Sequence, residues 1–260
     1  MSEDLEGKHG VQSLEVGMSI LRAMTTGKRS MMLKDIAAAA GMPPSKAHRY
    51  LVSLIRSGLV EQDPQTSRYD LGPFALSLGL VALDRIDRIR LGLNAITDLR
   101  DAVNETTALA VWSDNGPVVV RWERPRRPIT VNVVTGTTLG LLSSAVGQVF
   151  CAWLPERHIE PLIQREIEAG RSQAGIASMD DARQLLADVR TRGLSVISGN
   201  YILRGVEAVA APVFNFKNEI TLAIVLVAVE GSMDLTEHSS TLAALRDAAH
   251  ALSQRLGATL

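Results

Sequence analysis

Apolar residues recur at intervals of three or four along 11–24, at Val11, Leu14, Met18, Leu21 and Met24, which predicts an amphipathic helix ended by Gly27-Lys28-Arg29-Ser30. An Ala-rich second helix is predicted over 33–40. Gly41 closes it, since a residue without Cβ suits the left-handed position past a helix end. Met42-Pro43-Pro44-Ser45 opens a third helix to about residue 57, with Pro44 in the first turn, where the ladder needs no N–H. After Gly58, the extended runs 59–62 and 68–71 flank Asp63-Pro64-Gln65-Thr66-Ser67, a turn-rich pentapeptide that reads as a hairpin.

The third helix has two unlike faces. Ala47, Leu51, Leu54 and Ile55 fall on one side, and Ser45, Lys46, Arg49, Tyr50 and Ser53 on the other. Helix, helix, tight turn, helix, hairpin is the order of a winged helix-turn-helix, whose third helix enters the major groove of double-stranded DNA. Lys46, Arg49 and Tyr50 are then candidates for base edges or phosphates, with Ser45 and Ser53 beside them. Lys28, Arg29, Lys34 and Arg68 surround the helix and can neutralise phosphates. A basic helix face can also be a merely solvated one; the Gly41 turn and the hairpin favour the DNA reading. His48 is expected between the two faces beside Val52 and Ile55, as a packing or orienting residue.

Gly72-Pro73 breaks the hairpin, and a connecting helix is predicted through Phe74, Leu76, Leu78, Leu80 and Leu83, followed by a second helix to about residue 103. These apolar positions exceed what a small winged domain can hide, so a partner chain is expected over some of them, with burial within the chain as the alternative. Beyond Asn104, β-type runs are predicted at 107–112, 118–122 and 129–134, with a turn at Asp114-Asn115-Gly116-Pro117. Helices follow at 144–154, 156–168 and 180–192, strands at 194–198, 206–214 and 220–229, and a last helix at 235–256. Hairpin-like strands with helices grouped between them predict an α+β domain with a mainly antiparallel sheet. The expected division is a flexible start at 1–10, a DNA-binding domain at 11–72, a helical linker at 73–90, and a second domain at 91–260.

Composition narrows the function. At 260 residues with 46% hydrophobic content, the chain has material for one large or two ordinary folded domains. No apolar run approaches the roughly 18 residues a spanning helix needs, and the start at 1–8 is polar, so no membrane association and a cytoplasmic location are expected. The net charge of −1 gives no global attraction for nucleic acid, so DNA binding must rest on where the cations lie. One cysteine, Cys151, can form no internal disulfide and cannot supply a structural zinc site alone. No metal, cofactor or catalytic residue is expected. An enzyme using Ser143, Ser144, Cys151, His158 and Asp181 is disfavoured, because there is no Gly-x-Ser-x-Gly elbow and Cys151 sits among Val149, Phe150 and Trp153. A sensor using its winged helix for protein contacts is the other rival reading.

Several short motifs occur in an ordered series: Gln12-Ser13-Leu14, Gly41-Met42-Pro43 leading to Ser45 and His48-Arg49, and Arg68-Tyr69-Asp70-Leu71-Gly72-Pro73. Downstream come Ser144-Ala145-Val146-Gly147, Leu154-Pro155, Arg192-Gly193, Gly205-Val206 and Ala210-Ala211-Pro212-Val213-Phe214. Together they resemble the IclR family of bacterial regulators over nearly the whole chain. The resemblance implies a homodimer, often paired into a tetramer, that binds operator DNA. It also implies a GAF-like second domain that takes a small-molecule effector between its sheet and the loop opening the helix near Ser143-Ser144-Ala145. It places Leu139, Ser143, Ser144, Ala145 and Gly147 at that loop and helix start, where free N–H groups can hold a carboxylate. Plain N-capping by Ser144 is the alternative.

Aligned by motif, Ser198, Ala208, Val225 and Val227 occupy positions that carry acidic, thiol or hydroxyl groups in family members responding to very small keto acids. Here most are apolar, and an unpaired ligand atom in a buried site costs about 1 to 3 kcal/mol. The expected effector is therefore larger and partly apolar, with an aromatic acid preferred. Trp112 or Trp122 is placed near its ring, or else serves as sheet packing. The sequence departs from the family at Gln148, where lysine is common, and at Gly140, where proline is common. The overall expectation is a ligand-modulated repressor.

Overall fold

A computed structural model describes residues 10–27, 30–126, 135–172, 175–198 and 205–259. The chain divides into two units, Met1–Ile86 and Asp87–Leu260. The predicted flexible start, the cations Lys28 and Arg29, and the predicted strand at 129–134 lie wholly or almost wholly outside the described residues.

The first unit contains α1 (Gln12–Thr26), α2 (Leu33–Ala39), α3 (Pro44–Arg56), β1 (Val60–Gln62), β2 (Tyr69–Leu71) and α4 (Pro73–Arg85). Ile20, Ile36, Ala47 and Leu51 meet at its centre, each fully buried. Full burial of one such aliphatic side chain contributes roughly 1.5 to 3 kcal/mol, which is what gathers three short helices. Gly41 turns the chain at φ 64°, and Met42 N–H then donates to the Ala37 carbonyl at 2.9 Å. In the hairpin, Val60 pairs with Leu71 and Gln62 with Tyr69. The Asp63 carboxylate shapes the hairpin's turn by accepting from Gln65 N at 2.8 Å and Thr66 Oγ1 at 2.7 Å. These bonds hold its pKa below the usual carboxylate value, the Thr66 hydroxyl contributing most.

The second unit contains α5 (Arg88–Val103), β3 (Thr106–Ser113), β4 (Gly116–Glu123), α6 (Ala145–Trp153), α7 (Glu156–Glu168), α8 (Met179–Arg192), β5 (Ser195–Ile197), β6 (Val206–Phe214), β7 (Ile220–Val229) and α9 (Ser240–Arg255). Among the described residues its five strands lie in the order β4-β3-β7-β6-β5, each antiparallel to its neighbours. Helices cover both faces. Leu109, Val209, Val213, Leu222, Ile224 and Leu226 pack with side chains of α5 and α9, and Ala108, Ala110, Ala210 and Val225 with those of α6, α7 and α8. Central strands buried on both faces have no polar alternation, which is why β6 and β7 read as continuous apolar runs. Where the β6–β7 register shifts between Val213 and Phe214, the displaced Phe214 N–H donates to Ser253 Oγ on α9 at 3.0 Å. This is an α+β domain with an antiparallel sheet.

Two expectations are corrected. The last helix starts at Ser240 rather than at 235, because the Asp234 carboxylate accepts from Thr236 N at 3.0 Å and Oγ1 at 2.7 Å in a local turn, and Ser239 then caps Leu242 N at 3.2 Å. His48 is exposed and does not serve as a packing residue. The stretch at 73–90 holds α4 in the first unit and the start of α5 in the second, where Asp87 Oδ1 accepts from Arg90 N at 2.9 Å as the cap of α5.

Candidate functional site

On α3, the buried positions Ala47, Leu51 and Leu54 anchor one side. Ser45, Lys46, Arg49 and Ser53 are exposed on the other. The helix carries Lys46, Arg49 and Arg56 and no carboxylate, so its outer face holds cations and no anion. Lys34 and Arg68 are also exposed, and Arg68 Nη1 donates to the Ser30 carbonyl at 3.1 Å, tying the hairpin to the segment before α2. Tyr50 differs from the outward placement read from the sequence. It is half-buried and packs with the first unit's core, where a Cβ added at Gly17 of α1 would lie 3.9 Å from its ring.

In the second unit, a polar network fixes the loop that opens α6. Ser144 Oγ accepts from Gly147 N at 2.9 Å and donates to the Gly140 carbonyl at 2.6 Å, so Ser144 is an N-cap. The buried carboxylate of Glu166 on α7 accepts from Leu141 N at 2.7 Å and Leu142 N at 2.8 Å. Gln148 Nε2 donates to the Leu142 carbonyl at 2.8 Å. Glu166 was not singled out from the sequence; nothing in its local pattern marks a carboxylate that bonds backbone 24 and 25 residues away.

The ligand candidates separate into groups. Ala208, Val225 and Val227 share the sheet face toward α6, together with Trp112, whose ring centroid is 5.7 Å from that of Phe150. Ala145 and Gly147 lie buried in the first turn of α6 on that same side. Leu139 and Ser143 line a cleft of about 530 Å³ bounded by the β3–β4 turn, the 137–143 loop and α7, with Arg165 and Arg171 at its wall. Ser198, just past β5, is exposed, and its neighbour Ile197 pairs with Ala208.

The residues of the enzyme alternative do not assemble. Cys151 is buried and its thiol pKa is pushed up, first by burial and then by Glu166. Asp181 is engaged in capping α8 with Ser178, and His158 is exposed. Among the described residues no cluster of three or more metal-ligating side chains occurs, and no helix is long and apolar enough to cross a membrane.

A trihelical head with a hairpin wing and an open cationic third helix, joined to an α+β domain, defines a two-unit helix-turn-helix regulator of transcription. Residues 13–64 match the IclR helix-turn-helix domain and residues 81–254 the bacterial transcriptional regulator IclR C-terminal domain. The chain belongs to the IclR family of bacterial transcriptional regulators. The glycerol operon regulatory protein of Streptomyces griseus is 32% identical over 258 residues, covering 95% of this chain and 97% of the relative. The crystal structure of Pseudomonas aeruginosa HmgR is 38% identical with a TM-score of 0.83, covering 95% of this chain and 98% of that one. An IclR homolog from Microbacterium hydrocarbonoxydans, complexed with 4-hydroxybenzoate, shares the fold at 21% identity and a TM-score of 0.57, covering 95% of this chain and 100% of that one. The chain is accordingly a regulator rather than an enzyme.

Proposed function

We propose that the chain is a cytoplasmic repressor that binds operator DNA as a homodimer through α3 and is modulated by an aromatic acid held in its second unit. The observation that carries the DNA contact is the exposed cationic face of α3, with Ser45, Lys46, Arg49 and Ser53 outward and no carboxylate on the helix. Lys34 and Arg68 add phosphate contacts, and the half-buried Tyr50 serves the interface by steadying α3 on α1. In domain terms, 11–72 binds DNA, 73–90 connects, and 91–260 senses and assembles.

Dimerisation has its own support. No residue of α4 is buried, and Phe74, Leu76, Leu78, Leu80 and Val81 are exposed there, an apolar surface suited to a second copy. A tetramer would pair two such dimers. The aromatic-acid reading is supported by the apolar Ala208, Val225 and Val227 beside Trp112, and by the 4-hydroxybenzoate in the Microbacterium homolog. Ser144 and the loop through Leu139 and Ser143 would border that ligand, and Ser198 would join from the end of β5, whose Ile197 pairs with Ala208.

The test is a mobility-shift titration of the full chain on the DNA upstream of its own gene. Lys46→Ala with Arg49→Ala should abolish the shift, and 4-hydroxybenzoate or a related aromatic acid should change operator affinity for the unsubstituted chain. Undiminished binding by the double variant would overturn the recognition-helix assignment, and insensitivity to every aromatic acid tried would overturn the effector class.

A further inference from the structure

The cleft between the β3–β4 turn, the 137–143 loop and α7 has two cations on its wall, and its one carboxylate is already occupied. Arg165 and Arg171 are both exposed there, and neither makes an ion pair among the described residues. Every carboxylate of α7 is engaged elsewhere. Glu156 and Glu160 meet Arg183 of α8 at 2.9 and 3.5 Å, Glu168 accepts from Gln164 Nε2 at 2.8 Å, and the two oxygens of Glu166 accept from Leu141 N and Leu142 N. A guanidinium cannot shed its charge, so two of them without an internal partner on a concave wall are open to an anion from solution.

The backbone sets these cations in place. Gly170, at φ 63°, ends α7 in the left-handed conformation; its N–H donates to the Ile167 carbonyl at 2.9 Å, and Arg171 N–H donates to the Glu166 carbonyl at 3.0 Å. That pair of bonds is the Schellman arrangement, which folds Arg171 back onto the helix that carries Arg165. Arg165 Nε donates to the Pro161 carbonyl at 3.0 Å, leaving both of its Nη groups for a ligand. Glu166 ties the two sides together, since its backbone carbonyl holds Arg171 and its side chain holds the facing loop at Leu141 and Leu142. The hydroxyls of Thr137, Thr138 and Ser143 and the Asn115 amide complete the lining with groups that bond oxygen. At about 530 Å³ the cleft falls within the range of small-molecule sites, roughly 300 to 1,000 Å³.

We propose that this cleft is a ligand site of its own, taking a small hydroxyl-bearing anion whose phosphate or carboxylate group is gripped by Arg165 and Arg171 while its hydroxyls meet the threonines and Ser143. Ala208, Val225, Val227 and Trp112, on the sheet face toward α6, do not line it, so it is separate from the aromatic-acid site and stands whether or not that reading holds. Offsetting the dipole at the end of α7 would account for a cation there, but not for the hydroxyl-lined cleft beside it.

The experiment is calorimetric titration of the full chain with glucose 6-phosphate, malate and glucose. The first two distinguish a phosphate from a carboxylate ligand, and glucose is the uncharged control. At least one of the anions should bind and glucose should not. Arg165→Gln and Arg171→Gln should each weaken that anion about tenfold, which is about 1.4 kcal/mol. Arg157→Gln, which removes a cation of the same helix outside the cleft, should leave it unchanged. Amide hydrogen exchange of the unsubstituted chain is a second readout that needs no variant: saturation with the binding anion should slow exchange over 137–143 and around Arg171, and leave α9 as it was. If neither anion binds at millimolar concentration, the site is overturned. It is overturned equally if Arg165→Gln and Arg171→Gln bind within twofold of the unsubstituted chain; a lower melting temperature in those variants would then assign the two arginines to the end of α7 alone.

Discussion

Ser195 on β5 donates its hydroxyl hydrogen to Oε1 of Gln148 on α6 across 2.6 Å, joining the edge of the sheet to the helix that lies on it. Both groups are buried, and the same glutamine amide donates to the Leu142 carbonyl in the loop that opens α6. One side chain therefore holds strand, helix and loop in register. Gln148→Leu, which keeps much of the volume and removes the amide, should destabilise the second unit by about 1 to 3 kcal/mol, because it leaves the Ser195 hydroxyl and the Leu142 carbonyl buried without it. Urea unfolding of the chain measures this. Adding Ser195→Ala to Gln148→Leu should cost less than the sum of the two single changes, as expected for partners in one hydrogen bond.

Two glycines inside helices should respond oppositely to alanine. At Gly147 a Cβ would run into the carbonyl oxygens of Gly140 and Leu141 and lie 2.6 Å from Leu141 Cα, all backbone atoms that cannot swing aside. At Gly79 on α4 it would meet nothing within 4 Å. Gly147→Ala should therefore lower the melting temperature and disturb the loop beside Ser144. Gly79→Ala should raise stability by about 0.5 to 1 kcal/mol, the difference in helix propensity. Parallel thermal melts of the two variants separate these outcomes.

The contrast between Gly147 and Glu166 shows where a sequence is readable. Periodicity marked α3 and its buried and open faces, and unbroken apolar runs marked β6 and β7, because each signal lies within a dozen consecutive residues. Even so, the start of α9 was misplaced by five residues: an apolar period continues through Leu235, while a side-chain turn at Asp234 competes with the helix. The role of Glu166 is not legible in the sequence. It is set by which helix and loop become neighbours, and no local pattern records that. Tyr50 was misread for a related reason: it sits at the border of α3's two faces, and only the approach of α1 at Gly17 decides which way it is buried.

Cys151 offers a test by pH. Burial, and secondarily the nearby Glu166 carboxylate, raise its thiol pKa above the ordinary value of 9.0 in the folded chain. A group whose folded pKa is raised contributes stability that is fully present below the unfolded value and is lost as pH rises above it, because only the unfolded chain then gains by ionising. Stability should thus fall more steeply with pH above 9.0 in the unsubstituted chain than in Cys151→Ala, even though the cavity makes the variant less stable at neutral pH. The same burial predicts that a thiol-specific chromogenic disulfide leaves the native chain unreacted at pH 8 and labels it in urea. Rapid labelling of the native chain would contradict the burial of Cys151.

Salt dependence distinguishes the ways in which the α3 cations meet DNA. Each phosphate neutralised releases condensed counterion, so the slope of log affinity against log salt falls by about one for each phosphate contact removed. Lys46 and Arg49 project from the same open face of α3, whereas Arg68 is held by its bond to the Ser30 carbonyl and lies on the wing side. Arg68→Ala should therefore weaken operator and unrelated DNA alike and reduce the slope by about one, the mark of a backbone contact. If Arg49 forks onto a guanine edge, Arg49→Ala should lower operator affinity by about 1 to 3 kcal/mol while sparing unrelated DNA and leaving the slope nearly intact. Tyr50→Phe should change neither quantity much, because its ring packs on the first unit's core and only a hydroxyl is removed. Fluorescence-anisotropy titrations at four or five salt concentrations, on operator and on scrambled duplex, separate these cases. An Arg49→Ala slope lower by a full unit with equal losses on both duplexes would move Arg49 from base reading to phosphate anchoring, and would leave Lys46 and Ser45 as the base-reading positions on that face.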